Sequence, residues 1–225
     1  MTRTLRTLLA SALLAAAVPT VFAEDAKPAG EPAATDAAKP AESASEQAPQ
    51  PQGYHFALTG PGDQPVTDAS APFKDKYLLV AFGFTSCPDV CPTTLYEFAQ
   101  MLKIVKSPEK VQPVFISIDP LRDNSERLNQ YTGYFDKRIV GLTGSMADIE
   151  ATAKRYSASF GYRHNGKKVV PPDLPEGYTV YHSTMIYLLS PERELIDAFD
   201  YQSGAEKLAR DIDKAIAKKE DGAQS

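Results

Sequence analysis

Residues Tyr77-Leu78-Leu79-Val80-Ala81-Phe82-Gly83-Phe84 form an uninterrupted apolar run. A strand with one face in water would alternate apolar and polar residues. An unbroken run of this length instead reads as a strand covered on both faces, as at the centre of a sheet with parallel neighbours. Directly after it stands Thr85-Ser86-Cys87-Pro88-Asp89-Val90-Cys91-Pro92, and then Leu95, Phe98, Ala99, Leu102 and Val105 recur at helical spacing. Both cysteines therefore lie at a strand-to-helix junction, at one end of the strand around which the domain is built.

The remaining pattern fits that centre. Tyr54 to Leu58 alternates as a half-buried strand, and the turn cluster Thr59-Gly60-Pro61-Gly62-Asp63 leads to Pro65-Val66-Thr67 as a hairpin. Val111 to Asp119 is a second buried strand, Asn124 to Phe135 an amphipathic helix, and Ile139 to Leu142 a short strand. Ser145 caps a helix carrying Met146, Ile149, Ala153 and Tyr156 on one face. Ser159 to Tyr162 is a further strand, followed by a polar, Pro-rich excursion from His164 to Gly177. Thr184 to Leu189 and Leu195 to Phe199 pair across Ser190-Pro191-Glu192-Arg193, and Ser203 with Glu206 forms a capping box for a last helix. Strands alternating with helices and closing on a hairpin plus helix predict an α/β, thioredoxin-like fold. A mixed central sheet is flanked by helices, with an added N-terminal hairpin.

Two segments precede this domain. Residues 1–23 carry Arg3 and Arg6, an apolar run from Leu8 to Val18, and Val21-Phe22-Ala23, the layout of a cleavable export signal. Cleavage places the protein in the periplasm, and retention would tether it to the inner membrane, although the run is short against the roughly 20 apolar residues of a span. Residues 24–52, rich in Ala, Pro, Glu and Gln, lack the large side chains needed to offset the entropy of ordering and read as a disordered linker. The folded domain is expected over 53–218, with 219–225 as a flexible tail. Net charge is −5, falling to −7 once Arg3 and Arg6 leave with the signal. That balance argues against nucleic acid as a partner.

An exported chain could carry several disulfides, yet there are only Cys87 and Cys91. Four residues apart, they would share one face if helical, and at a helix N-terminus the unpaired amides and the dipole favour thiolate. A simple disulfide here would close too small a loop to stabilise much. His182 precedes the strand Thr184 to Leu189, which runs antiparallel to the central strand, so it should face the cysteines. Two thiolates and an imidazole suit copper or zinc over calcium or magnesium. Asp119, ending the second buried strand, would point the same way as a supporting acceptor or weak ligand, or else cap the helix near Asn124. His55 and His164 read as solvated or locally bonded. Thiol-disulfide exchange by Cys87 and Cys91 stays open beside metal binding, although its usual spacing is Cys-x-x-Cys.

Phe82-Gly83-Phe84-Thr85-Ser86-Cys87-Pro88-Asp89-Val90-Cys91-Pro92-Thr93-Thr94-Leu95 resembles the Sco/SenC copper proteins. So do Phe115-Ile116-Ser117-Ile118-Asp119-Pro120-Leu121-Arg122-Asp123, Gly141-Leu142-Thr143-Gly144 and His182-Ser183 before a strand ending in Ser190-Pro191. The resemblance implies a thioredoxin-like domain binding Cu(I) or Cu(II) through Cys87, Cys91 and His182. It also implies a metallochaperone for the binuclear copper centre of cytochrome c oxidase, whose partners are that copper-centre subunit or another acceptor, and periplasmic thiol reductants or copper donors. Enzymatic activity, as a thiol-disulfide oxidoreductase acting on exported proteins, is the competing implication.

Overall fold

The computed structural model describes residues 53–223; the expected signal and linker lie outside them. The apolar run forms strand β3, Tyr77–Gly83, and every residue in it is buried. It pairs in parallel with β4, Val111–Ser117, on one side and antiparallel with β9, Ile186–Leu189, on the other. With β5, Val140–Leu142, and β10, Leu195–Phe199, at the edges, the sheet order is β10-β9-β3-β4-β5. Four helices accompany this mixed sheet: α1 Val90–Ile104, α2 Ser125–Phe135, α3 Met146–Arg155 and α4 Ala205–Ala223. The fold is the expected thioredoxin-like one. β1, Ala57–Thr59, and β2, Pro65–Thr67, make the N-terminal hairpin.

Asn124 caps α2 by accepting from Arg127 N–H, and Ser145 caps α3 by accepting from Asp148 N–H. Three expectations are corrected. α4 begins at Ala205 behind Gly204, whose φ is +85°, so Ser203 stands one position too early to form a capping box. Residues 219–223 are helical rather than a loose tail; Lys219 pairs with Glu192 and Glu220 with Lys110, fastening the last turns to the sheet end. The polar excursion contains β7, Lys167–Val169, and is followed by β8, Thr179–His182; the two flank β6, Phe160–His164, in a separate three-stranded sheet. Short exposed strands with lysines on one edge carry little apolar periodicity, which hides them in the sequence.

At the opposite end of β3, the loop between β9 and β10 turns on Arg193, with φ +66° and a side chain only 4% exposed. Its guanidinium donates to the carbonyls of Lys76, Ser190, Pro191, Asp68 and Phe73. Nε lies 3.2 Å from Asp68 Oδ2 as an ion pair without hydrogen-bond alignment. Asp68 also accepts from Phe56 N–H and meets His55 Nδ1 at 3.0 Å, so the N-terminal hairpin is bolted to the sheet through one buried charge pair. Removing one member strands the other. Arg193→Ala is expected to lower the unfolding free energy by about 3–5 kcal/mol in urea denaturation. Lys214→Ala, at an exposed pair with Asp211, should change it by no more than about 1 kcal/mol.

Candidate metal centre

β3 ends at Gly83 because the chain must turn there toward α1. A Cβ on Gly83 would lie 2.7 Å from Cys91 Sγ and 2.6 Å from the Phe115 ring, so only glycine lets the sulfur pack against the strand end. Cys91, in the first turn of α1, is buried. Cys87 is not on the helix, so the two do not share a helical face; it stands in the loop ahead of it, partly exposed. Asp89, the residue before α1, makes no side-chain cap. Cys87 Sγ takes that place and accepts from Cys91 N–H at 3.4 Å.

This arrangement splits the two thiols. Cys87 is pulled down to about 4, chiefly because the Cys91 thiol donates to it, with further help from His182 and the backbone amides of Asp89 and Cys91 against the effect of burial. Cys91 is pushed far up: it is the donor to Cys87, it is buried, and it faces the charge on Cys87. The metal-free pair is therefore one thiolate and one thiol at neutral pH.

His182 enters from the second sheet. It is the last residue of β8, opposite Phe160 of β6, and not part of the strand antiparallel to β3. The expected approach still holds, since the chain runs on through Ser183 to β9, whose Ile186 pairs with Ala81 two residues before Gly83. Nδ1 donates to the carbonyl of Ser183 at 2.8 Å, which turns Nε2 toward the sulfurs, 3.8 Å from Cys91 Sγ. The Phe84 ring packs edge-on against the imidazole at 6.0 Å. Cys87 Sγ, Cys91 Sγ and an imidazole nitrogen of His182 all lie within 4.8 Å of one another. Thiolate and imidazole donors at this spacing fit a soft or borderline ion.

Asp119 is fully buried but is not among the converging donors. Its carboxylate accepts from Tyr178 Oη at 2.6 Å and Arg122 Nε at 2.5 Å, and Arg122 lies over the Tyr178 ring at 4.0 Å. It thus secures the approach to β8, and Asn124 caps the helix that Asp119 was a candidate to cap. His55 is locally bonded to Asp68, while His164 has a buried Nδ1 without a partner and stands outside the converging group. Gly83, Ser183, Tyr178 and Arg122 were not singled out from sequence. A glycine ending an all-apolar strand just before a cysteine loop was the available signal for the first.

At pH 6, iodoacetamide should modify Cys87 well before Cys91, and the Cys87 rate should fall only as pH approaches about 4. A rate climbing through pH 8 to 9, as for an ordinary thiol, would contradict the split.

The crystal structure of Arabidopsis thaliana ScoI with copper bound superposes with a TM-score of 0.65 at 29% identity, covering 75% of this chain and 99% of that one. Bradyrhizobium japonicum ScoI with copper bound gives 0.61 at 33% identity, covering 72% and 98%. The mitochondrial protein SCO2 of Saccharomyces cerevisiae is 34% identical over 174 residues, 75% of this chain and 55% of that protein, so the chain spans little more than half of that relative's length. With residues 44–217 matching the SCO1/SenC profile, the chain belongs to the SCO1/SenC family.

Proposed function

We propose that this protein is a copper metallochaperone that takes copper on Cys87, Cys91 and His182 and delivers it to the binuclear copper centre of cytochrome c oxidase. The convergence of two sulfurs and an imidazole within 4.8 Å carries the reading. Copper is the cargo. Cu(I) suits the three soft and borderline donors, and Cu(II) would use the same set with an added oxygen ligand. The copper held by the Arabidopsis and Bradyrhizobium neighbours supports the choice of metal, and family membership supports the acceptor. Release would proceed by stepwise exchange with the cysteines and histidines of the acceptor. Periplasmic export rests on the character of residues 1–23. Periplasmic copper donors and thiol reductants are the partners that setting would supply.

One observation favours a second activity. A Cys87 thiolate beside a protonated Cys91 is the poise of a dithiol reductant. Cys87 would attack a partner disulfide and release one partner thiolate. Cys91, after losing its proton, would attack Cys87 of the mixed disulfide, release the second thiolate and leave Cys87–Cys91 oxidised, with two electrons passed to the partner. An acceptor with oxidised cysteines would need this step before loading. A Cys91→Ser variant should then trap a mixed disulfide with the acceptor, and its absence argues against this activity.

The copper reading is tested by titrating the reduced protein with Cu(I) against a chromogenic chelator. One ion per chain should bind, His182→Ala should weaken binding and Cys87→Ser should abolish competition. Because loading displaces the Cys91 proton, apparent affinity near neutral pH should rise about tenfold per pH unit. A wild-type protein that cannot compete, or binding indifferent to His182, overturns the reading.

A further inference from the structure

Asp123 is a carboxylate only 1% exposed that does not ligate, and both its oxygens are committed to the loop carrying Cys87. Oδ2 accepts from Thr85 N–H at 2.9 Å and from the Ser117 hydroxyl at 2.8 Å; Oδ1 accepts from the Thr85 hydroxyl at 2.5 Å. Arg127, on the first turns of α2, completes the grip. Its Nε donates to Thr85 Oγ1 at 2.7 Å and lies 3.7 Å from Asp123 Oδ1, and Nη2 donates to Ser86 Oγ at 3.3 Å. Asp123 is itself held: its N–H donates to the Asp119 carbonyl at 2.9 Å, and its carbonyl accepts from the Thr143 hydroxyl at 2.9 Å.

Burying a carboxylate is unfavourable unless its acceptor capacity is filled. Here two of the three hydrogen bonds that fill it come from Thr85, two residues before Cys87. The need for such a hold is plain in the fold. Cys91 is placed by α1 and His182 by β8, whereas Cys87 stands in a loop between β3 and α1. A loop sulfur free to wander would have to be ordered at the moment of binding, and that ordering subtracts from affinity.

The geometry points to Asp123, Thr85 and Arg127 as a clamp of positioning residues that sets Cys87 Sγ against Cys91 and His182 before a metal ion arrives. The clamp deepens the copper-binding reading and rests on it for its purpose, while its mechanical part, the holding of the loop, can be read without metal.

Thr85→Val keeps the shape and the N–H but loses the hydroxyl; Thr85→Ser keeps the hydroxyl; Asp123→Asn keeps the size but loses the charge. Cu(I) affinity of each reduced, folded variant is compared with its melting temperature, and hydrogen exchange of segment 85–91 is followed on the metal-free proteins. Supporting contacts of metal ligands are worth about 10–100-fold in affinity. Thr85→Val and Asp123→Asn should lose that much, Thr85→Ser should stay near wild type, and exchange at 85–91 should quicken while β4 keeps its protection. A folded Thr85→Val protein that binds Cu(I) like wild type overturns the clamp, whatever its melting temperature. If Asp123→Asn does not fold, the Thr85 pair decides. Failure of wild type itself to bind Cu(I) defeats the copper reading instead, and unchanged exchange in Thr85→Val then defeats the clamp as well.

Discussion

Cys91 Sγ stands so close to the end of β3 that a methyl group on Gly83 would meet it at 2.7 Å and the Phe115 ring at 2.6 Å. That close approach depends on β3 being flanked by β4 and β9 and buried along its whole length, which fixes where the strand ends and where α1 begins. With Cys91 in the first turn of the helix, its amide points back at the loop, and the Cys87 sulfur accepts it in place of a capping oxygen. The same sulfur is a thiolate chiefly because the Cys91 thiol donates to it, and the amide contact that caps the helix adds a smaller share.

The third donor comes from a different body of structure. β8 belongs to the small sheet, tied to the large one where Tyr162 Oη donates to the Ile118 carbonyl at 2.6 Å, while Ser183 and Ser159 bond to each other and extend the β6–β8 pairing. The Asp119, Arg122 and Tyr178 cluster fastens the chain just before β8, and the Ser183 carbonyl orients the ring at its end. Each donor is thus held by a separate device: a helix turn for Cys91, a capped imidazole on a strand for His182, and a hydrogen-bonded loop for Cys87. A dithiol alone would need none of the machinery around His182. Its presence is what supports the proposed metal capture over simple thiol exchange.

Much of this was legible in the residues. The eight-residue apolar run announces a doubly covered strand because Leu78, Leu79 and Val80 in a strand alternate faces and each face must then be covered, and all three are fully buried. Cys87, Cys91 and His182 could be proposed as partners because chain direction in a mixed sheet brings the start of one strand to the end of another. The reason for His182 holds, since it precedes β9, which runs antiparallel to β3; only β8, which carries it, was hidden, having too little apolar alternation to be seen beside the Pro-rich excursion. Whether Cys87 stood on the helix was not legible, because four-residue spacing cannot say where the helix starts. Asp123 was hidden for a different reason: a carboxylate in an Asp-Pro-Leu-Arg-Asp run reads as a solvated turn until the fold brings Thr85 against it. Spacing shows which residues are neighbours in the chain, and only packing shows which buried charge has been satisfied.

The most direct test is X-ray absorption at the copper edge of the Cu(I)-loaded, reduced protein. The account predicts a first shell of two sulfurs and one nitrogen, with the nitrogen lost in His182→Ala and one sulfur lost in Cys87→Ser. A shell of sulfurs alone in the wild type, or a nitrogen that survives the His182→Ala substitution, would contradict it.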